Sequence, residues 1–109
     1  MDFSIVSTFD QEKKLWSVEI SGEVDIFNSA EMKKKLTDLI NEKNADMLMD
    51  CRNLEYIDST ALGALVGVLK NIKNYGGSMH LLNVKPNLVK LFKITNLDKV
   101  FIMEGDSNE

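Results

Sequence analysis

A serine that lies between an acidic residue and a second hydroxyl is the most chemically suggestive feature of this sequence. Asp58, Ser59 and Thr60 follow the apolar residue Ile57 and precede an apolar periodic segment that predicts a helix. The Ser59 hydroxyl is therefore expected where a loop becomes a helix. It could cap the helix or accept a phosphoryl group there, because the unpaired amides and the dipole of a helix N-terminus stabilise polar and anionic groups.

The two roles of Ser59 have different consequences. As a cap, the serine is structural, and its loss would cost about 1 kcal/mol. As a phosphorylation site, it would gain about 1.5 to 2 negative charges near Asp58 and Asp25 without damage to the fold. That charge would repel an acidic or closely fitted surface, so the modification would act on a binding partner.

A serine hydrolase is a third hypothesis, and the sequence argues against it. A nucleophilic serine needs a positioned base, and the only histidine, His80, lies between Met79 and Leu81 on a predicted strand. Nothing in the sequence brings this histidine to Ser59. We therefore predict that the chain is not an enzyme.

The residues that bind metals and cofactors are sparse. One cysteine, Cys51, and one histidine cannot supply a standard zinc set, and the acidic residues do not repeat at calcium-loop spacing. Gly76-Gly77 lacks the lysine and hydroxyl that end a phosphate-binding loop. We expect no metal and no cofactor, and we interpret Cys51 as an inert core thiol.

Length, charge and hydropathy limit the remaining functions. The 109 residues predict a single domain over 1–109, and a net charge of -4 argues against a nucleic-acid partner. No apolar run approaches the roughly 18 residues that span a bilayer, and the N-terminus lacks the order of a signal peptide. We therefore expect no membrane partner and a cytoplasmic location.

Hydrophobic periodicity predicts the elements that position Ser59. Two strands near Phe3–Ile5 and Leu15–Ile20 precede a helix over about Asn28–Lys43, and Asn28 and Glu31 at its start have the spacing of a capping box. The remaining elements are a short strand at Asp46–Asp50, a helix at Ser59–Tyr75, a strand at Met79–Val84, a helix that Pro86 opens, and a final strand at Val100–Ile102. The expected fold is α/β, with a mixed sheet of about five strands, an N-terminal strand pair, and three or four helices packed against it.

Four short motifs occur in one order along the chain. They are the Gly22-Glu23-Val24-Asp25 segment, which we expect to form a turn, the Asp58-Ser59-Thr60 loop, Gly76-Gly77 and Leu91-Phe92-Lys93-Ile94-Thr95. In this combination the chain resembles the bacterial anti-sigma factor antagonists, whose fold is the STAS domain, and is most similar to the general-stress sigma-B type. Ala61 stands where that family usually has glycine, so the backbone there has less freedom.

The resemblance implies a partner-switching function. In that family, the unphosphorylated antagonist binds an anti-sigma factor that is also a serine kinase, and the sigma factor is released. Phosphorylation by the kinase ends binding, and a serine phosphatase restores it. The resemblance implies Ser59 as the phosphorylated residue and the following partner-binding residues: Glu23, Asp25, Ile26, Phe27, Tyr56, Asp58 and Thr60.

One alternative remains open within the same fold. A STAS domain can also be a subunit of a lipid or small-molecule transport system, in which case Ser59 would be only a helix cap and no kinase partner would exist. The switch hypothesis predicts that Ser59→Ala stays bound to its kinase and that Ser59→Asp fails to bind.

Overall fold

A five-stranded sheet with helices on one face organises residues 2–105, the part of the chain that this computed structural model describes. The strands are β1 (Phe3–Asp10), β2 (Leu15–Val24), β3 (Asp46–Ile57), β4 (Met79–Leu82) and β5 (Ile102–Glu104). The helices are α1 (Ser29–Glu42), α2 (Ser59–Asn74) and α3 (Pro86–Ile94), with a 3-10 turn at Leu97–Lys99. The prediction of a mixed sheet with an N-terminal strand pair is confirmed.

The order of the strands explains why one face of the sheet is covered. The strands follow their sequence order across the sheet; β1 pairs antiparallel with β2, and β2 to β5 are parallel. Each parallel connection contains a helix, and right-handed crossovers that advance in one direction place all their helices on the same face. The opposite face of the sheet is left uncovered by these helices.

Burial alternates along the central strands as this arrangement requires. Val18 and Ile20 on β2 and Met47 and Met49 on β3 are at most 1% exposed, whereas Glu19 between the first two is exposed. The helices cover this apolar face with a stripe of buried residues: Met32, Leu36, Ile40, Leu62, Leu65, Leu69, Ile72, Leu88 and Phe92. The buried stripes include the residues expected from the sequence, except that Leu39, Val66, Val89 and Leu91 are only partly buried and Ile94 is exposed.

The strands differ from their predicted bounds: β1 and β2 extend to Asp10 and Val24, β4 ends at Leu82 rather than Val84, and β3 and β5 differ most. The strand at Asp46 continues to Ile57, so Arg52 and Asn53, which were expected to end it, lie within β3. After a register shift, β2 pairs with β3 again between Asn53 and Ile57, and that pairing overrides the local polarity. The final strand begins at Ile102 rather than Val100, because a 3-10 turn comes first.

The end of α2 agrees with its sequence signal. Gly76 has a φ of +82°, and the Gly77 N–H donates to the Ile72 carbonyl at 3.0 Å. A left-handed residue after a helix turns the chain back, and glycine adopts this conformation at the lowest cost. The chain is thereby directed into β4.

Candidate functional site

The candidate site lies where β2 and β3 both end. Val24 pairs with Ile57, and each is followed by a turn that leads into a helix, α1 or α2. Both strands are parallel, so their carboxyl ends lie at one edge of the sheet, where α/β proteins commonly place binding residues. The sequence motifs around Asp25 and Asp58 therefore come together although they are 33 residues apart.

Asp58 is the residue that joins the two turns. Its Oδ1 accepts a hydrogen bond from the Ala61 N–H at 2.8 Å, and its Oδ2 accepts one from the Ile26 N–H at 3.0 Å. The first bond caps α2, and the second holds the β2–α1 turn. The Asp58 carboxylate is thus used within the chain.

This geometry corrects the expected role of Ser59 as a cap. α2 begins at Ser59, as predicted, but the N-cap is Asp58, and Ser59 is the first helical residue. Asp58 has the extended backbone of an N-cap residue, with φ -101° and ψ -177°. Ser59 and Thr60 are both exposed, so their hydroxyls are accessible at the start of the helix.

Asn28 organises the β2–α1 turn instead of capping α1. Its Oδ1 accepts from the Asp25 N–H at 2.8 Å, and its Nδ2 donates to the Glu23 carbonyl at 3.0 Å. No side-chain bond caps α1 through Asn28, so the predicted capping box with Glu31 is wrong. The reason is that the side chain of Asn28 faces back toward β2.

Asp25 is also engaged within this turn. Its Oδ1 accepts from the Phe27 N–H at 2.9 Å, and its carbonyl accepts from the Ser29 N–H at 2.9 Å. Asp25 therefore sets the backbone direction at Ile26 and Phe27. The Gly22-to-Asp25 motif, expected as a turn, contributes Gly22 to Val24 to the end of β2, and the turn itself begins at Asp25.

The turn presents two large apolar side chains to solvent. Phe27 is 92% exposed and Ile26 is 63% exposed. Burial of these side chains against another molecule would remove apolar surface from water and so favour binding. An exposed aromatic residue on a hydrogen-bonded turn is typical of an interface anchor. Ile26 directly follows Asp25, and the backbone of Phe27 is bonded to the Asp25 carboxylate.

Glu23 and Tyr56 extend the surface onto the uncovered face of the sheet. They are register partners on β2 and β3, and each precedes a buried residue, Val24 or Ile57. Their side chains therefore point away from the helices. Tyr56 is 47% exposed, which leaves its ring accessible beside the site.

His80 lies at the other end of the sheet from Ser59. It pairs in register with Leu48, and Ser59 follows Ile57, about 30 Å further along β3 at 3.3 Å per residue. Its ring nitrogens contact other partners: Nδ1 lies 2.6 Å from Glu104 Oε2, and Nε2 lies 3.1 Å from Ser78 Oγ. His80 thus cannot act as the base for Ser59.

The remaining chemistry-bearing side chains do not assemble a metal site. Within residues 2–105, no three histidine, cysteine, aspartate or glutamate residues converge as ligands. Cys51 is 2% exposed, and burial, with a smaller contribution from the negative charge of Asp50, raises the pKa of its thiol to about 12. The thiol is therefore held in its unreactive, protonated form.

The sequence matches a known domain family over nearly its whole length. The STAS domain family matches residues 2–109. Together with the sheet order and helix placement described above, this shows that the chain belongs to the STAS domain family. No helix within residues 2–105 is both long enough and apolar enough to cross a bilayer.

Two curated relatives carry the same kind of name. The anti-sigma-B factor antagonist of Bacillus subtilis strain 168 is 37% identical over 90 residues, which cover 83% of this chain and 82% of that protein. The anti-sigma-B factor antagonist of Staphylococcus aureus strain NCTC 8325 is 31% identical and aligned over the full length of both chains. The resemblance seen in the motifs is therefore confirmed over the whole sequence.

A solved structure shares the fold. The crystal structure of a Thermotoga maritima protein described as an anti-sigma factor antagonist superposes with a TM-score of 0.82 at 25% identity, covering 94% of this chain and 86% of that one. The prediction of an α/β STAS-like fold is confirmed by this match.

Proposed function

We infer that this chain is an anti-sigma factor antagonist, a regulatory protein that acts by binding an anti-sigma factor. The observation that carries this inference is the surface at the ends of β2 and β3, where an exposed Phe27 and Ile26 lie beside Asp25 and the accessible hydroxyl of Ser59. The names of the full-length relatives support the same function. In this role the chain is a single cytoplasmic STAS domain without enzymatic activity of its own.

The partner's surface should combine an apolar pocket with basic residues. Phe27 is the most exposed apolar residue of the turn. The same strand ends and turns carry three acidic residues, Glu23, Asp25 and Asp58. A partner that buried Phe27 beside these carboxylates would need positive charge to avoid repulsion. The anti-sigma factor is therefore proposed to dock through a basic, partly apolar cleft.

Ser59 is the proposed control point of this binding. Its hydroxyl is exposed at the first position of α2, so a kinase can reach it, and the positive end of the helix dipole would stabilise a phosphate there. The added charge of about -1.5 to -2 would lie next to the Asp58 carboxylate. A cleft that fits the unmodified site closely would have no room for the phosphate and would have to desolvate its charge, so binding would stop.

The kinase is proposed to be the anti-sigma factor itself, and a serine phosphatase is proposed to reset the switch. Thr60 is exposed as well and forms the second hydroxyl of the same turn. Ser59 is the better acceptor candidate, because the family resemblance assigns phosphorylation to this position. In the alternative, a transport subunit, Ser59 would only cap the helix, but Asp58 performs the capping. The names of the full-length relatives favour the antagonist function over a transport role.

The test is phosphorylation by the anti-sigma factor from the same cell, followed by intact-mass and peptide mass spectrometry. We expect one phosphate on the wild type and on Thr60→Ala, none on Ser59→Ala, and loss of complex formation after modification. Ser59→Ala should stay bound to the kinase, and Ser59→Asp should not bind. Binding without modification would retain the antagonist function but refute the switch; absence of binding by the wild type would refute both.

A further inference from the structure

The first strand, β1, is an outer strand of the sheet, and most of its length lacks the features that usually protect such an edge. In the described sheet it pairs only with β2, over eight consecutive residue pairs from Phe3–Gly22 to Asp10–Leu15. Its outer backbone N–H and C=O groups are therefore available along the strand. Proteins usually protect an edge of this kind with lysine, proline, a bulge or a very short strand.

Residues 3–9 of β1 lack those protective features. Their sequence is Phe-Ser-Ile-Val-Ser-Thr-Phe, without a charged residue or proline, and the register with β2 is unbroken. Val6, at the centre, is 61% exposed. A long, uncharged strand with an exposed valine at an edge of the sheet favours strand addition.

We propose that β1 pairs antiparallel with β1 of a second copy of this chain, which joins the two sheets into one of ten strands. A second copy fits because the edge is complementary to itself. The chain carries a net charge of -4, so two copies repel each other in most orientations, but an uncharged strand can approach its own copy without opposing like charges along residues 3–9.

The alternation of side chains selects one register. Residues directly opposite each other in an antiparallel pair point their side chains to the same face of the sheet, so the helices of both copies stay on one face. The register that pairs all of residues 3–9 places Val6 opposite Val6 of the second copy. Phe3 then lies opposite Phe9 of the other copy, and Ser4 lies opposite its Thr8. Aromatic pairs across antiparallel strands are favourable, and in this register they close the uncharged segment at both ends. Just beyond them, Asp2 would lie opposite Asp10 of the other copy, so like charges oppose each other there and limit the pairing to residues 3–9.

This dimer leaves the proposed switch surface free. β1 runs antiparallel to β2, so its N-terminal end lies beside the end of β2 that carries the site. In an antiparallel pair of β1 strands, the two sites lie at opposite ends of the joined sheet. The dimer can thus bind two partners, and its existence does not depend on the proposed function.

The first test is the mass of the chain in solution between about 10 µM and about 1 mM, the range suited to a small interface. The wild-type mass should rise from the 12.3 kDa of one chain toward twice that value. Val6→Lys should stay at the mass of one chain, because the two lysines would face each other at the symmetry axis. Its fold should persist, because Val6 is exposed and Glu19 is its cross-strand partner on β2.

Ser17→Lys is the matched control, because it adds the same charge at an exposed position of β2, one strand away from the edge. It should dimerise like the wild type. A wild type that stays at one chain's mass over the whole range would overturn the proposal, as would a dimer that Val6→Lys leaves intact. If Val6→Lys instead weakens only the binding of the anti-sigma factor to a monomeric chain, the edge belongs to that partner and the proposal is wrong.

A cysteine cross-link tests the register. Val6→Cys should form a covalent dimer on mild oxidation, because directly opposed residues lie within disulfide distance. Ser4→Cys should not, because two Ser4 positions would be separated by about 14 Å along the strands. The native Cys51 is buried and should not react. Equal cross-linking of both variants, or of neither, would overturn the proposed register.

Discussion

Asp58 and Ile26 are joined by a hydrogen bond of 3.0 Å between the Asp58 carboxylate and the Ile26 backbone N–H, across 32 residues of sequence. The other carboxylate oxygen caps α2 through Ala61. One side chain thereby determines where the helix begins and where the apolar turn lies. Displacement of the Asp58 carboxylate would therefore affect both the start of α2 and the position of the turn at Ile26.

Substitution of Asp58 should separate these two effects. Asp58→Ala removes both acceptors and should lower the free energy of unfolding by about 1 to 2 kcal/mol. Asp58→Asn keeps one oxygen that accepts from the Ala61 N–H. Its NH2 group then faces the Ile26 N–H and cannot accept a hydrogen bond from it. Urea unfolding would measure the loss of stability in Asp58→Ala. Hydrogen exchange would measure the protection of the Ile26 amide, which should fall in Asp58→Asn. Equal protection of the Ile26 amide in Asp58→Asn and wild type would contradict the role of the bond.

Ser59→Ala should leave stability within about 0.5 kcal/mol of the wild type. Ser59 is exposed and follows the cap, and alanine is a good helix former. A helix cap in the same place would cost about 1 kcal/mol on removal. Urea unfolding compares Ser59→Ala with Asp58→Ala; a larger loss for Ser59→Ala than for Asp58→Ala would restore the capping role to the serine.

Phe27→Ala should weaken binding of the anti-sigma factor by about 2 kcal/mol or more, a factor of roughly 30 in Kd. Its stability should change little, because the side chain is 92% exposed. Ile94→Ala is the matched control, since Ile94 on α3 is also a large apolar side chain and is 79% exposed. Calorimetric titration should show an effect only for Phe27→Ala; equal affinities of the two variants would refute the anchor role.

Gly22→Ala should destabilise the end of β2, whereas Gly63→Ala should not. Gly22 has a φ of +96°, and an added Cβ would lie 2.2 Å from the Asp2 carbonyl oxygen, so we expect a loss of more than about 1 kcal/mol. Gly63 lies within α2 with open space around it, and alanine there should raise the free energy of unfolding by about 0.5 to 1 kcal/mol. Thermal and urea unfolding of the two variants should shift in opposite directions; a shift in the same direction would contradict this.

Stability should fall with rising pH above about 9 because of Cys51. Burial, then the charge of Asp50, raises the thiol pKa from 9.0 to about 12, so the unfolded chain releases this proton while the folded chain retains it. The contribution of the protonated Cys51 thiol to the free energy of unfolding is fully present below pH 9. It is lost at about 1.4 kcal/mol per pH unit between pH 9 and 12.

The control for this prediction is Cys51→Ala, which shares every other titrating group. The difference in the free energy of unfolding between wild type and Cys51→Ala should shrink by about 1.4 kcal/mol between pH 8 and 10. A difference that stays constant over this interval would mean that the thiol ionises equally in both states.

Local sequence signals predicted those elements whose formation depends on nearby residues. The apolar stripes of α1 and α2, Pro86 at the start of α3 and Gly76 after α2 all occur where expected. β3 was predicted too short, since the partner strand that pairs with it between Asn53 and Ile57 is distant in sequence. For the same reason, the capping box at Asn28 was wrong: its side chain bonds back to the Asp25 amide and the Glu23 carbonyl.

The sequence by itself determined the family, the order of strands and helices, and the residue types of the candidate site, because periodicity, turn residues and motifs are local properties of the chain. Only the tertiary structure decided that Asp58 rather than Ser59 caps α2, that Asp58 holds the turn of Ile26, and that His80 lies about 30 Å from Ser59 along the sheet. These relationships depend on which strands pair and in which register. They are consequences of long-range packing, which a local pattern of residues does not encode.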